Sequence, residues 1–189
     1  MTRPVAVLIG PPGVGKTTIA QALARHLGLP FRETDADVEQ VAGRSVAEIF
    51  FDDGESTFRE LEHAAVLRAL AEHDGVLSVG GGAVLDPRTQ EALRGHTVIF
   101  LDVRIGDAAK RIGLNRDRPL LLGNPRAQWT MMMDNRRPIY TEVATARVAT
   151  DGLGIDEVTA AVLAVLEQLG TTTEAAAEAA PGPSGGERT

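Results

Sequence analysis

The stretch from Gly10 to Thr17 (Gly-Pro-Pro-Gly-Val-Gly-Lys-Thr) constrains the fold of this chain more than any other. It has the phosphate-binding pattern of a glycine, any four residues and Gly-Lys-Thr. The preceding apolar run, residues 5–9, has the length and β-branching of a buried strand. After the loop, Ile19, Leu23 and Leu27 recur at helical spacing. The pattern therefore joins a predicted strand to a predicted helix, where glycine backbone N–H groups and a helix N-terminus favour an anion.

Each residue of the loop has an expected role. Gly13, Val14, Gly15 and the following Thr18 are predicted to bind the phosphates of ATP. Lys16 is expected to reach the β- and γ-phosphates, and the Thr17 hydroxyl to ligate Mg²⁺. The alternative is a Gly/Pro turn with an exposed lysine. The loop alone leaves open whether the phosphate passes to water, to a small molecule, or nowhere.

The composition argues against nucleic-acid binding, cysteine chemistry and a membrane-spanning segment. The 189 residues carry 19 basic and 26 acidic side chains, a net charge of −7, so nothing resembles a basic nucleic-acid footprint. The absence of cysteine excludes disulfides, thiolate chemistry and cysteine-based zinc sites. No signal-peptide pattern is visible, and no stretch approaches the roughly 18 apolar residues that span a bilayer. We expect a soluble cytoplasmic protein without nucleic-acid or membrane partners.

Five predicted strands alternate with helices, which favours an α/β fold with a five-stranded parallel sheet and helices on both faces. The strands are expected at residues 5–9, 31–34, 76–79, 97–101 and 147–150. The helices are expected at 15–27, from 45, at 55–74, 86–94, 105–112 and 126–137, and through Ile155, Val158, Val162, Leu166 and Leu169. Residues 1–170 are predicted to form a single domain, and 171–189 a disordered tail that has almost nothing to bury.

Residues 113–125 have the composition of a mobile lid over a phosphate-transfer site. The segment has glycines near both ends, prolines, and two arginines, one of which is Arg118. A plain surface loop is the alternative.

Two acidic residues mark the end of the second predicted strand. Carboxyl ends of parallel strands are where open sheets place ligands, so we expect a functional role for Asp35. Glu33 lies two residues earlier and points to the same side, but it could equally cap the next helix. Asp37 is typical of a helix start. After the third predicted strand, Gly80-Gly81-Gly82 suggests close approach of a ligand to the backbone rather than a flexible turn.

Arginines near these motifs suggest an anionic acceptor. Arg59 follows Phe58 at the start of a long predicted helix, with Glu62 three residues later, and an ordinary exposed helix pair is the favoured interpretation of these two charges. Arg136 lies in a later cluster, Arg-Arg-Pro-Ile-Tyr. Arginines without matching carboxylates could hold a carboxylate bidentately. Asp35 could then orient the acceptor hydroxyl or act as its base.

Together these motifs resemble the shikimate kinase family, over residues from about 5 to 169. The resemblance rests on Gly10–Thr17, Glu33-Thr34-Asp35, Phe58-Arg59 with Glu62, Gly80–Gly82, Arg118-Pro119-Leu120-Leu121, and Arg136 in Arg-x-Pro-x-Tyr. It implies a P-loop kinase of the nucleoside-monophosphate-kinase-like fold with a mobile lid. It also implies transfer from MgATP to the 3-hydroxyl of shikimate.

The resemblance also implies roles for individual residues. Asp35 would contact the reacting hydroxyls of shikimate, and Arg59 and Arg136 would hold its carboxylate. Arg118 would reach the phosphates and Arg111 would lie near the adenine. The acceptor site would further be lined by Gly80, Gly81, Gly82, Phe50, Phe58 and Leu120.

Two departures from the family pattern affect the expected site. The family usually has aspartate at the position of Glu33, where it orients Mg²⁺ through water. Arg136 is chosen over its neighbour Arg137 only by the register of the motif. Other interpretations are another small-molecule kinase of this fold, such as a gluconate kinase, or a regulatory protein that binds ATP without turnover. We expect a monomer.

Overall fold

A computed structural model of the chain describes residues 3–111 and 124–171. Its centre is one parallel sheet whose strands have the order β2-β3-β1-β4-β5. The strands are β1 (Ala6–Ile9), β2 (Phe31–Glu33), β3 (Val76–Ser78), β4 (Val98–Asp102) and β5 (Ala146–Ala149). Because β1 is the central strand, pairing with β3 on one side and β4 on the other, the phosphate loop leaves the middle of the sheet. The predicted fold class is confirmed.

Eight α-helices surround the sheet in the described ranges. They are α1 (Lys16–Leu27), α2 (Thr34–Ala42), α3 (Val46–Asp52), α4 (Gly54–Glu72), α5 (Pro87–Leu93), α6 (Ile105–Arg111), α7 (Pro125–Val143) and α8 (Ile155–Gln168). A short 3-10 helix spans Ala83–Leu85. None of these helices is long and apolar enough to cross a membrane.

Local sequence signals explain several helix ends. Gly28 ends α1 in the left-handed conformation with φ 67°, which a residue with a side chain rarely adopts. Ser45 and Glu48 form the capping box that begins α3, and Asp86 and Asn124 cap α5 and α7 with their side chains. These contacts lie within a few residues of each other along the chain, so the sequence pattern suffices to predict them.

The core has two parts. The main cluster surrounds the central strands β1, β3 and β4, whose side chains are all buried. A smaller cluster joins α2, α3 and α4 through Val38, Ile49, Phe58 and Ala65. Burial of about 1.5–3 kcal/mol per large apolar side chain holds these three helices together beside the sheet. The smaller cluster thereby fixes the helices that carry Asp35 and Arg59.

The structure corrects some details of the sequence interpretation. Helix α2 begins at Thr34, so Asp35 lies in its first turn rather than at a strand end. Helix α7 continues through Pro138 to Val143, although a proline usually interrupts a helix. Four residues expected on apolar helix faces are instead exposed: Phe50, Phe51, Ile155 and Leu169. Most of the predicted lid and nearly all of the predicted tail lie outside the described residues.

Candidate active site

The phosphate loop connects β1 to α1 as its pattern predicts. Gly13 and Gly15 have φ values of 79° and 98°, which favour glycine. Gly10 is also required for space, because a Cβ there would lie 2.5 Å from the carbonyl oxygen of Leu101 on the neighbouring strand. The helix begins at Lys16, so the last residues of the loop lie at a helix N-terminus. This arrangement favours bound anions.

A cavity of about 540 Å³ opens over this loop. Six predicted ATP-binding residues line it together, namely Gly13, Val14, Gly15, Lys16, Thr17 and Thr18. Glu33, Asp35 and Arg111, predicted from separate parts of the sequence, line the same cavity. The structure therefore brings the candidate phosphate, metal and acceptor groups to one place.

Six lining residues were not predicted as site residues: the buried Ile19 and Val79, and four that lie together. Leu153, Gly154, Ile155 and Val158 form the wall that follows β5. The rule that ligands lie at the carboxyl ends of parallel strands could have indicated this turn. Since Leu153 and Ile155 are apolar and partly exposed, they offer a surface on which a flat aromatic group can pack.

Lys16 is buried at the centre of the site. Its ammonium donates to the carbonyl oxygens of Gly10 and Pro11, at 3.0 and 3.2 Å. Burial lowers the pKa of Lys16 to about 8, although the carboxylates of Asp35 and Glu33 oppose that change. An anionic phosphate beside it would favour the charged form again.

Asp35 also lies in this buried environment. Burial raises the pKa of its carboxyl, and the ammonium of Lys16 opposes that shift. Its Oδ1 atom is buried without a hydrogen-bond partner among the described residues. A buried carboxylate oxygen is costly unless it accepts a hydrogen bond, so Oδ1 is suited to accept one from a bound hydroxyl.

Glu33 contacts the phosphate loop directly. The Thr17 hydroxyl donates to Glu33 Oε1 in a short hydrogen bond. The Glu33 side chain makes no cap hydrogen bond at the start of α2, so capping does not explain this residue. The hydroxyl and the carboxylate place two oxygen groups at the cavity wall, the kind of ligand that Mg²⁺ prefers.

The triple glycine packs against the other site residues. A Cβ at Gly80 would lie 2.5 Å from Asp35 Oδ1 and 2.6 Å from Glu62 Oε1, and one at Gly82 would overlap the Arg59 guanidinium. A Cβ at Gly81 would lie 3.2 Å from the carbonyl oxygen of Gly10. None of the three has a positive φ, so close approach rather than backbone conformation requires glycine here.

Arg59 and Glu62 form a partly buried pair rather than the exposed helix pair that the sequence favours. Arg59 donates to Glu62 at 2.6 Å, and Glu62 is only 2% exposed. Burial raises the pKa of Glu62, while hydrogen bonding from Arg59 opposes that shift. Arg59 also pairs with Glu55 at 3.0 Å. The pairing that the sequence favours is therefore present, but the predicted exposure is wrong for Glu62.

Two phenylalanines surround the same guanidinium. The rings of Phe50 and Phe58 lie 4.5 Å apart, and the Arg59 Cζ atom lies 5.9 and 5.3 Å from their centres. Both rings thus form an apolar wall beside a fixed cation, and cation–π attraction helps to hold it.

Arg136 approaches the glycine turn from α7. Its Nη1 atom lies 3.4 Å from the carbonyl oxygen of Gly81, which also accepts a 2.5 Å hydrogen bond from the Tyr140 hydroxyl. Burial raises the pKa of Tyr140 to about 12, so this hydroxyl keeps its proton. Tyr140 belongs to the same Arg-x-Pro-x-Tyr motif, which could have indicated it. Arg137, by contrast, pairs with Asp102.

Arg111 contacts the phosphate loop from the end of α6. It donates to the carbonyl oxygen of Val14 at 2.9 Å and to that of Thr150 at 2.7 Å. These contacts tie the end of α6 to the loop and to the residue after β5. The predicted lid arginine, Arg118, and the predicted pocket residue Leu120 lie outside the described residues.

Comparison with known proteins identifies a single family. The family model described as "Shikimate kinase" matches residues 12–167. A shikimate kinase of Streptomyces avermitilis is 54% identical over 88% of this chain and 98% of the relative. One of Salinispora arenicola is 54% identical over 86% and 98% of the two chains.

Solved structures give the same result. A shikimate kinase from Acinetobacter baumannii in complex with shikimate has a TM-score of 0.80 and 28% identity, covering 89% of this chain and 95% of the other. A gluconokinase from Sinorhizobium meliloti has a TM-score of 0.55 and 22% identity over 87% and 91% of the chains. The second likeness concerns the fold alone.

Proposed function

The chain belongs to the shikimate kinase family, and we propose that its cleft transfers the γ-phosphoryl group of ATP to the 3-hydroxyl of shikimate. It is a kinase of that family. The observation that carries the detailed proposal is the arrangement around Asp35, which lies near Lys16 in the cavity and packs, like Arg59, against the turn Gly80–Gly82. Lys16 supplies a positive charge for the phosphates, Asp35 a hydrogen-bond partner for the acceptor hydroxyl, and Arg59 a partner for the acceptor carboxylate.

On the donor side, we propose that the phosphates of ATP lie on the loop from Gly13 to Thr18. Lys16 exchanges its bonds to loop carbonyls for bonds to phosphate oxygens and stabilises charge on the transferring group. Arg111 and the apolar wall at Leu153 and Ile155 flank the adenine end of the cavity. Arg118, in the predicted lid, is proposed to complete the phosphate site.

On the acceptor side, shikimate would lie against Gly80, Gly81 and Gly82, with Phe50 and Phe58 as apolar walls. Arg59 and Arg136 bracket this turn and are proposed to bind the carboxylate of shikimate. Glu62 was predicted as an exposed partner of Arg59, and its burial beside the glycine turn gives it a role in the site. Its buried carboxylate accepts from Nη1 of Arg59, while Nε and Nη2 donate to Glu55, so one N–H on each of Nη1 and Nη2 remains for the acceptor.

Asp35 is proposed to receive the proton of the 3-hydroxyl of shikimate. The oxygen of that hydroxyl forms the new bond to the γ-phosphorus, and the bond between the γ-phosphorus and the oxygen that bridges it to the β-phosphate breaks. The raised pKa of Asp35 makes it a better proton acceptor than an ordinary aspartate, once ionised. Its unpartnered Oδ1 atom gives the hydroxyl a position to occupy.

Mg²⁺ is proposed as the metal, with Thr17 as ligand and Glu33 as the carboxylate behind it. The donor set fits this ion, because both side chains offer oxygen and lie where the phosphates would supply the remaining ligands. When bound with ATP, Mg²⁺ neutralises charge on the β- and γ-phosphates. Glu33 contacts the Thr17 hydroxyl directly, and it is proposed to act on Mg²⁺ through water, as the family aspartate does.

We also propose that the protein acts in the cytoplasm as a monomer. Within one chain, the described donor residues and Asp35 line one cavity, and the glycine turn packs against both Asp35 and Arg59.

A coupled assay of ATP consumption tests the function. We expect Mg²⁺-dependent turnover when shikimate is added and little without it, with a ³¹P and ¹H NMR spectrum showing a phosphate ester at the 3-position. Gluconate, offered alone at the same concentration, should not replace shikimate. If gluconate instead of shikimate stimulated ATP consumption, the chain would be a gluconate kinase. If the protein bound ATP but consumed none with either acceptor, it would be a regulatory protein.

A further inference from the structure

Two adjacent arginines of α7 make contacts in different directions. Arg136 lies 3.4 Å from the carbonyl oxygen of Gly81, whereas Arg137 donates to Asp102 Oδ1 from Nε at 3.2 Å and from Nη2 at 3.1 Å. Successive residues of an α-helix point about 100° apart. The contact of Arg137 with Asp102 therefore restricts the rotation of α7, and with it the direction of Arg136.

Asp102 is a rigid anchor for this contact. It ends β4 and is 3% exposed, and its Oδ1 atom also accepts from the backbone N–H of Val103 at 2.9 Å. Its other oxygen pairs with Arg147 of β5 at 2.5 Å. The carboxylate is thus held by two neighbouring strands of the sheet, and Arg137 is its link to α7.

The helix needs such a link at this point. Pro138 has no backbone N–H, so α7 lacks the hydrogen bond that would run from residue 138 to the carbonyl of Asp134. A surface groove of about 470 Å³ lies beside this turn, lined by Asp134, Arg137, Pro138, Thr141 and Glu142. Side-chain contacts on either side of the proline, from Arg137 and Tyr140, replace part of the lost restraint.

We propose that Arg137 is a positioning residue for acceptor binding. Through Asp102 it sets the rotation of α7 so that Arg136 and Tyr140 both face Gly81. Arg137 itself does not touch the substrate. This inference rests on the proposed function, because its readout is the affinity for shikimate.

Two single variants separate positioning from general stability. Arg137→Met removes the charged contact between α7 and Asp102 but keeps a long side chain. Arg147→Met, on β5, removes the other arginine that pairs with Asp102. We expect Arg137→Met to weaken shikimate binding, measured by calorimetry, by roughly fivefold or more, the range of coupling between contacting residues. Its affinity for ATP should be unchanged. Arg147→Met should retain shikimate affinity, and Arg137→Lys should restore part of the loss.

A double-mutant cycle decides whether Arg137 acts through Arg136. In the Arg136→Met background, adding Arg137→Met should cause no further loss of shikimate affinity, whereas independent effects would multiply. Multiplied losses, equal losses in Arg147→Met, or normal affinity in Arg137→Met would each overturn the proposal. Urea unfolding of each variant shows that the protein measured is folded. If wild-type protein binds ATP but not shikimate, the proposed function fails and this inference fails with it.

Discussion

Arg59 occupies the space that a side chain at Gly82 would need. A Cβ atom at Gly82 would overlap the guanidinium, which is held in place by Glu62 at 2.6 Å and by the rings of Phe50 and Phe58. The glycine turn and the arginine are 23 positions apart in the chain and belong to different elements. Because the two fit closely, the backbone of the glycine turn determines the position of Arg59, the residue proposed to bind the carboxylate of shikimate.

Gly82→Ala should therefore displace Arg59 without unfolding the protein. The overlapping atoms are the far end of a flexible side chain, so the guanidinium can move away, but it then leaves the acceptor site. We expect a raised KM for shikimate and little change in the KM for ATP. Gly106→Ala is the matched control, because its Cβ would meet nothing within 4 Å and its φ is not positive. An unchanged KM for shikimate in Gly82→Ala would contradict this account.

Arg59→Lys should be poorly tolerated. Lysine keeps the charge beside the buried Glu62 carboxylate but cannot bind it and a substrate carboxylate with a planar fork. We expect kcat/KM for shikimate to fall about tenfold or more, since a hydrogen bond to a charged group contributes about 1.5–3 kcal/mol. Arg88→Lys, which alters an exposed arginine paired with Glu60 and Asp86, serves as control and should retain activity. Near-normal KM in Arg59→Lys would argue against carboxylate binding by this residue.

Asp35→Ala should stop transfer while ATP binding is largely kept. Loss of a positioned proton acceptor lowers rates by about 10²–10⁴-fold, and we expect kcat to fall in this range. Asp37→Ala is the control on the same helical turn, since Asp37 pairs with Arg32 at 2.7 Å instead of lining the cavity. Isothermal calorimetry with a nonhydrolysable ATP analogue measures the affinity. An equal loss of nucleotide binding would show that Asp35 does not act on the acceptor side.

Lys16→Met should abolish turnover yet make the protein more stable at pH 7. With its pKa lowered from 10.5 to about 8, the buried ammonium disfavours folding by an amount of order 3 kcal/mol relative to an uncharged side chain, and methionine supplies an uncharged side chain of similar length. The sign follows from proton linkage. Below pH 8 the lysine is charged in both states and its cost is complete, and the cost disappears as pH rises from 8 to 10.5.

Urea unfolding at several pH values checks this prediction. The advantage of Lys16→Met over the wild type should shrink between pH 8 and 10.5. Lys110→Met, in which an exposed lysine paired with Asp107 is replaced, should show no such advantage. A Lys16→Met protein that is less stable than the wild type at pH 7 would refute the assigned cost of burial.

Features that depend on neighbouring residues in the chain could be predicted from the sequence. The phosphate loop, the Gly28 cap and the Ser45–Glu48 capping box are of this kind. The burial of Glu62 and the space around Gly82 could not be predicted, because they arise only when α4 packs beside the turn after β3. Periodicity also gave no means of predicting that Phe51, at 91% exposed, is much more exposed than Phe50, at 37%, since both lie on a helix of seven residues.

The resting contacts of Lys16 affect which anions the loop accepts. Its ammonium donates to two carbonyl oxygens of the loop itself, so an incoming anion must replace both of these hydrogen bonds. A polyphosphate chain does so with several oxygens and more than one charge, whereas chloride offers a single charge. We therefore expect the loop to discriminate against the small monovalent anions that outnumber ATP in solution.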